Sequence, residues 1–160
     1  MLTSIVENLK TKFPSSVIAA SEFRGETTLQ IKKDDIVDVC RNLRNDESSR
    51  FDYCSDICGA DAYTPENRFE VIYNLYSTVK NHRIRLKVFI DESDLHCPSV
   101  TSVWEGANWP ERETFDMFGI IFDGHNDLRR MYMPEEFEYF PLRKDFPMMG
   151  IPDSIPLPRK

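Results

Sequence analysis

Apolar residues recur along this chain with two periods, and each period predicts a different kind of element. Ile5, Val6, Leu9 and Phe13 follow the capping-box pattern Ser4-x-x-Glu7 at helical spacing, which predicts a short amphipathic helix over 4–13 that Pro14 stops. Ser16 to Phe23 and Glu26 to Ile31 flank Arg24-Gly25 and predict a hairpin, with Thr27, Leu29 and Ile31 alternating with polar neighbours. A second helix is expected from Asp34 or Asp35, with Ile36, Val37, Cys40 and Leu43 as its buried stripe and the loop Asn45 to Ser49 as its end. Three strands follow. Arg50 to Ile57 closes at Gly59, and Arg68 to Ser77 carries Phe69, Val71, Tyr73 and Leu75 on one face. In His82 to Ile90, Ile84, Leu86, Val88 and Ile90 face one way and Arg83, Arg85 and Lys87 the other.

Val100, Val103, Trp104 and Ala107 are spaced for a third helix, which Asn108-Trp109-Pro110 breaks. Pro110 then suits the first position of a short helix, where its missing N–H costs nothing. Glu111 and Glu113 fall in that helix's first turn, where the helix dipole favours anions. Arg112 and Asp116 are i, i+4 and are expected to pair. Gly119 ends the helix, residues 120–122 are extended, and Asp123-Gly124 is a turn. The whole stretch from Trp109 to Pro134 is too aromatic to be left in water, so its interrupting charges need partners.

After Met133 six prolines, Pro134, Pro141, Pro147, Pro152, Pro156 and Pro158, exclude regular helix and central strand. Phe137, Tyr139, Phe140, Phe146, Met148, Met149 and Ile151 are interleaved with them, whereas disordered tails are poor in aromatics. An extended tail docked on another surface is the expectation, with Arg143, Lys144 and Asp145 fixing its register. The fold class expected is α+β: one compact domain over 1–133, a mixed or antiparallel sheet with flanking helices, followed by an extended proline-rich C-terminal tail over 134–160.

Composition narrows the function. The chain has 160 residues, 41% hydrophobic and 29% charged, enough for one domain with a real core. A net charge of −7 argues against a general nucleic-acid binder. The basic face of the His82–Ile90 strand therefore reads first as a solvated sheet face, or as a contact for an acidic partner. No apolar run approaches the roughly 20 residues that span a bilayer, and MLTSIVENLK lacks the regions of a signal peptide. A cytoplasmic protein, or one on the cytoplasmic face of something larger, is expected. Cys40, Cys54, Cys58 and Cys97 give no usual zinc or iron–sulfur spacing, and free thiols are the plainer reading. Glu111, Glu113, Asp116 and His125 could form a metal-binding or hydrolytic cluster. Against it, Glu111 and Glu113 point to different sides of a helix, and Arg112, Arg129 and Arg130 would crowd a cation. A charge network at an interface is the alternative, with His125 hydrogen-bonded in it.

The stretch Glu111-Arg112-Glu113-x-x-Asp116-Met117-Phe118, followed by His125, Arg129 and Met131, resembles a long signature of mixed residue type. It is similar to that of the 30 kDa-type subunit of the proton-translocating NADH–quinone oxidoreductase, respiratory complex I. Asn126 departs from it, standing where many relatives carry proline. The segments Pro141-Leu-Arg-Lys-Asp-Phe-Pro, and Phe51-Asp52-Tyr53 through Gly59-Ala60-Asp61, are also similar, so the resemblance covers the whole chain. It implies a peripheral-arm subunit that binds no cofactor itself, with FMN and iron–sulfur clusters in partner subunits. Its partners would be the large quinone-site subunit and the neighbour that holds the terminal cluster. It implies that Glu111, Arg112, Glu113, Asp116, His125, Arg129 and Arg130 organise a core-to-interface region and that none is catalytic. The equivalent subunit of a membrane-bound energy-converting hydrogenase, or of a ferredoxin- or F420-linked relative, is the alternative. A metal-dependent hydrolase and an adaptor unrelated to redox work rank below both.

Overall fold

The structure is a computed structural model and describes residues 2–151; the part of the expected tail at 152–160 lies outside them. Helix α1 (Leu2–Lys12) leads into the hairpin β1 (Val17–Phe23) and β2 (Glu26–Ile31), whose turn places Arg24 and Gly25 at positive φ. A single 3-10 turn precedes helix α2 (Ile36–Asn45). Strands β3 (Tyr53–Asp61), β4 (Phe69–Ser77) and β5 (His82–Ile90) form a meander. Strand β6 (His96–Pro98), helix α3 (Asn108–Phe118) and strand β7 (Ile121–Asp123) follow.

The main sheet runs β1-β2-β5-β4-β3, with β2 and β5 parallel and every other pair antiparallel. It is mixed because α2 and two strands intervene between β2 and β5. A second, parallel pair joins β6 to β7. Period-two alternation sets the layers: Phe69, Val71, Tyr73, Leu75, Ile84, Leu86, Val88 and Ile90 are all buried, in one core with Ile5 and Leu9 of α1 and Ile36, Val39, Cys40 and Leu43 of α2. The opposite face is partly open, and its cations are satisfied locally. Lys87 pairs with Glu70 at 2.8 Å, Arg85 with Glu26 at 3.0 Å, and Arg83 lies over the Tyr76 ring. Strand β1 is the edge of the sheet, and six of its seven residues are exposed.

Three expectations need correction. No third helix forms at 100–107; the span is turns and a short 3-10 piece at Glu105–Ala107, although Val100, Val103, Trp104 and Ala107 are all buried as their spacing required. The buried Trp104 is held by its indole N–H on the Phe51 carbonyl at 3.2 Å. Asn108-Trp109-Pro110 does not break a helix but begins one. Strand β3 starts later than Arg50 and runs past Gly59 to Asp61. Gly59 does not end it: α3 lies so close that a Cβ there would sit 2.5 Å from the Phe118 ring and 3.0 Å from Thr114. The expected Arg112–Asp116 pair is replaced by the arrangement described next.

Candidate functional site

Helix α3 buries Glu111, Arg112 and, one turn on, Asp116, and its position on β3 fixes where they point. Gly119, at φ +79°, closes the helix by donating its N–H to Phe115, as expected of a left-handed cap. Arg112 and Asp116 do not pair but grip the same returning loop by opposite poles. Arg112 donates to the carbonyls of Arg129 (3.1 Å) and Arg130 (3.3 Å), and its guanidinium lies 5.0 Å from the Trp109 ring centroid. One turn on, the fully buried Asp116 accepts the N–H groups of Met131, Tyr132 and Met133 at 2.9, 2.7 and 3.0 Å. Its other oxygen takes Arg130 Nη1 at 2.7 Å. Burial pushes the Asp116 carboxyl up, but the three amides and Arg130 together outweigh it and hold the group below the usual carboxylate range.

Glu111 is the opposite case. It too is fully buried, but it receives only the Ser99 hydroxyl (2.6 Å) and the Val100 N–H (2.8 Å), with no cation. Burial dominates and pushes its pKa up to about 7. The same burial raises the nearby thiols of Cys54 and Cys97 to about 12. Glu113 is exposed on the other side of the helix. His125 accepts the Asp127 N–H at Nδ1 (3.0 Å), so its proton is on Nε2 and is donated to the Asn108 carbonyl (3.1 Å). Arg129 is exposed and held by Asp127 at 2.6 and 2.8 Å. The carboxylates and the histidine of the notional hydrolytic cluster are thus turned apart or already engaged. Among the described residues, no three His, Cys, Asp or Glu side chains converge to hold a metal ion.

Arg143, Lys144 and Asp145 lie against the chain's own domain. Arg143 donates to the Phe118 carbonyl at 2.7 Å and stacks on Phe140 and Phe69. The Lys144 N–H meets Asp61 at 2.8 Å, and Asp145 reaches Arg68 at 3.1 Å. Asp61 and Arg68, both buried, form the anchor: Arg68 grips Asp61 through two nitrogens at 3.0 and 2.8 Å and also takes Glu92 at 2.7 Å. Burial raises the Asp61 carboxyl, but Arg68 and the amides of Lys144 and Tyr63 bring it to about 2. Arg68 escaped the sequence reading, although a cation abutting an apolar strand, one short loop from Asp61, was a usable signal. Ser99 left no such signal.

A family model described as the respiratory-chain NADH dehydrogenase 30 kDa subunit matches residues 29–152. The chain belongs to this family. It is 47% identical over 145 residues to the C-type subunit of the NADH-quinone oxidoreductase of Roseiflexus sp. strain RS-1, covering 91% of this chain and 83% of that one. It is 42% identical to the corresponding subunit of Geobacter sulfurreducens, over 94% of this chain and 92% of that one. Among solved structures, the trypsin-resistant 1–134 fragment of Nqo5 superposes with a TM-score of 0.66 at 29% identity, covering 79% of this chain and 98% of the fragment. An archaeal respiratory membrane complex, the membrane-bound sulfane sulfur reductase, contains the same fold (TM-score 0.72, 24% identity, 92% of this chain and 86% of that one). This 30 kDa-type subunit is thus part of an NADH-quinone oxidoreductase complex, and none of its described helices is long and apolar enough to cross a membrane.

Proposed function

We propose that this subunit is a scaffold of the peripheral arm of complex I that carries no redox group of its own. It supports electron transfer from NADH or another donor, through iron–sulfur clusters in its neighbours, to quinone with proton translocation. The observation that carries this reading is how the signature side chains are used. Arg112, Asp116, Arg130 and His125 all spend their polar atoms on the chain's own backbone or on each other, so they shape a surface and leave no reactive group aimed at a substrate. The large quinone-site subunit and the neighbour with the terminal cluster are the expected partners, on the cytoplasmic face of the membrane.

Part of the docking role expected of the tail falls on residues beyond Phe146. Met148 and Met149 there are exposed, while Arg143, Lys144 and Asp145 before them are engaged with the domain. A relative whose 1–134 fragment resists trypsin fits a core followed by a distinct tail. The test is native purification through a tag on this chain, followed by mass spectrometry and elemental analysis. Co-purifying flavin and iron–sulfur proteins with a quinone-site subunit, and less than about 0.1 metal per isolated chain, are expected where an ordinary zinc or iron–sulfur site would give at least one. A nickel-binding large partner would move the assignment to an energy-converting hydrogenase, and absence of any redox partner would refute it.

A further inference from the structure

Three aromatic side chains stand in water around the Arg112–Asp116 clamp: Trp109 is 62% exposed, Tyr132 59% and Tyr139 40%. None is on loose chain. Trp109 is stacked under Arg112, which is tied to the carbonyls of Arg129 and Arg130. The Tyr132 N–H is held by Asp116. The Tyr139 carbonyl accepts from Arg130 at 3.3 Å, and its ring meets the buried Phe137 edge-on at 5.6 Å. The three therefore belong to one surface, joined through Arg112 and Arg130. Trp, Tyr and Arg are the residue types that dominate binding energy at interfaces. Because buried charges already fix this backbone, a partner would not have to order it.

The rim is mainly acidic. Glu113 on α3 and Glu135, Glu136 and Glu138 in the following segment are exposed, and among the described residues none of the four has an ion-pair partner. The nearby Arg129 is already neutralised by Asp127. Unpaired carboxylates around an aromatic centre complement an apolar patch ringed by cations.

We propose that this face docks on a protein surface with an apolar centre and a rim of Lys and Arg, supplied by another member of the complex. The proposal rests on the scaffold reading above and names the chemistry of one of its contacts.

The test uses full-length chains in a strain lacking the native one, with incorporation into the membrane complex read on native gels. Trp109→Ala combined with Tyr132→Ser, and separately the triple reversal Glu135→Lys, Glu136→Lys, Glu138→Lys, should each lower incorporation by at least about ten-fold, as loss of a hot spot does. The melting temperature of each purified chain should stay within about 4 °C of wild type, the small shift that loss of the Trp109–Arg112 stack allows, and the control Arg83→Glu on the open sheet face should incorporate normally. Normal incorporation of the aromatic variant overturns the proposal. Loss with the aromatic variant but not with the reversal overturns the basic partner. A dimer of the isolated chain that Trp109→Ala dissolves would put a second copy on this face instead. If wild-type chain enters no large membrane complex, the scaffold reading itself fails, which is a different result from any of these.

Discussion

Glu111 and Asp116 show how one helix can carry two buried carboxyls with opposite titration. The pKa of Glu111 is about 7 in the folded chain against about 4.5 when unfolded. Between those values the native state keeps a proton that the unfolded state has released, so this group's contribution to stability falls as pH rises from about 4.5 to 7 and is level above. The total is on the order of 3 kcal/mol. Glu111→Gln should remove that slope, because its carbonyl can take the Val100 N–H and its amide can donate to Ser99. Urea melts at rising pH should show the variant gaining on wild type until about pH 7 and holding its lead beyond, and a constant difference would mean that Glu111 stays ionised. Asp116→Ala strands three amides and Arg130, at a cost of roughly 3–5 kcal/mol, whereas Glu113→Ala should stay within about 0.5 kcal/mol; thermal melts distinguish them. Arg112→Ala should lower the amount of assembled complex more than the turnover of what assembles, measured by native gel and quinone reduction on the same sample. The sequence marked all these residues as a network but paired Arg112 with Asp116, because i, i+4 spacing is visible locally. Their true partners return 14 to 18 residues later, and no periodicity carries that.

At the scale of elements, legibility followed whether the cause was local. Strand β5 was readable from strict alternation, and the end of α3 from the residue that most readily takes a left-handed cap. The stretch 100–107 misled because four apolar residues at helical spacing are equally well buried by consecutive turns. Strand β3 misled because Gly59 resembles a breaker, while its real cause is the ring of Phe118 on another element. The segment after Met133 was readable as apolar and irregular, but not the surface it lies on. The structure gives residues 140–146 an anchor at Asp61, Arg68 and the carbonyl of Phe118. A chain ending at Phe146 should therefore melt like the full chain. One ending at Met133 loses these contacts and should be destabilised by about 2 kcal/mol, lowering its melting temperature by roughly 4–8 °C. Identical melting of the two truncations would mean that the anchor contributes nothing.

At the scale of the whole molecule, structure is divided between the two sides of the sheet. One side is closed by α1, α2 and α3 over a continuous core. The other pairs its own cations with Glu70 and Glu26, so its basic stripe is not an excess of charge available to nucleic acid. The net charge of −7 foretold this, since it left no surplus of cations. Net charge could not foretell where unpaired charge would gather, and in the fold exposed carboxylates ring the aromatic face beside α3.

The edge strand β1 has a practical consequence for anyone handling this chain alone. Strand β1 offers a free row of peptide groups with Ile18 and Phe23 exposed, and it contains neither lysine nor proline to discourage a neighbour. In concentrated solution such a margin seeds intermolecular sheet growth, so shelf life rather than folding would limit purified material. Ile18→Lys, placed at the irregularity in the β1–β2 register, should suppress light scattering on prolonged incubation and leave the melting temperature unchanged. Undiminished scattering would move the origin of clumping to another part of the surface.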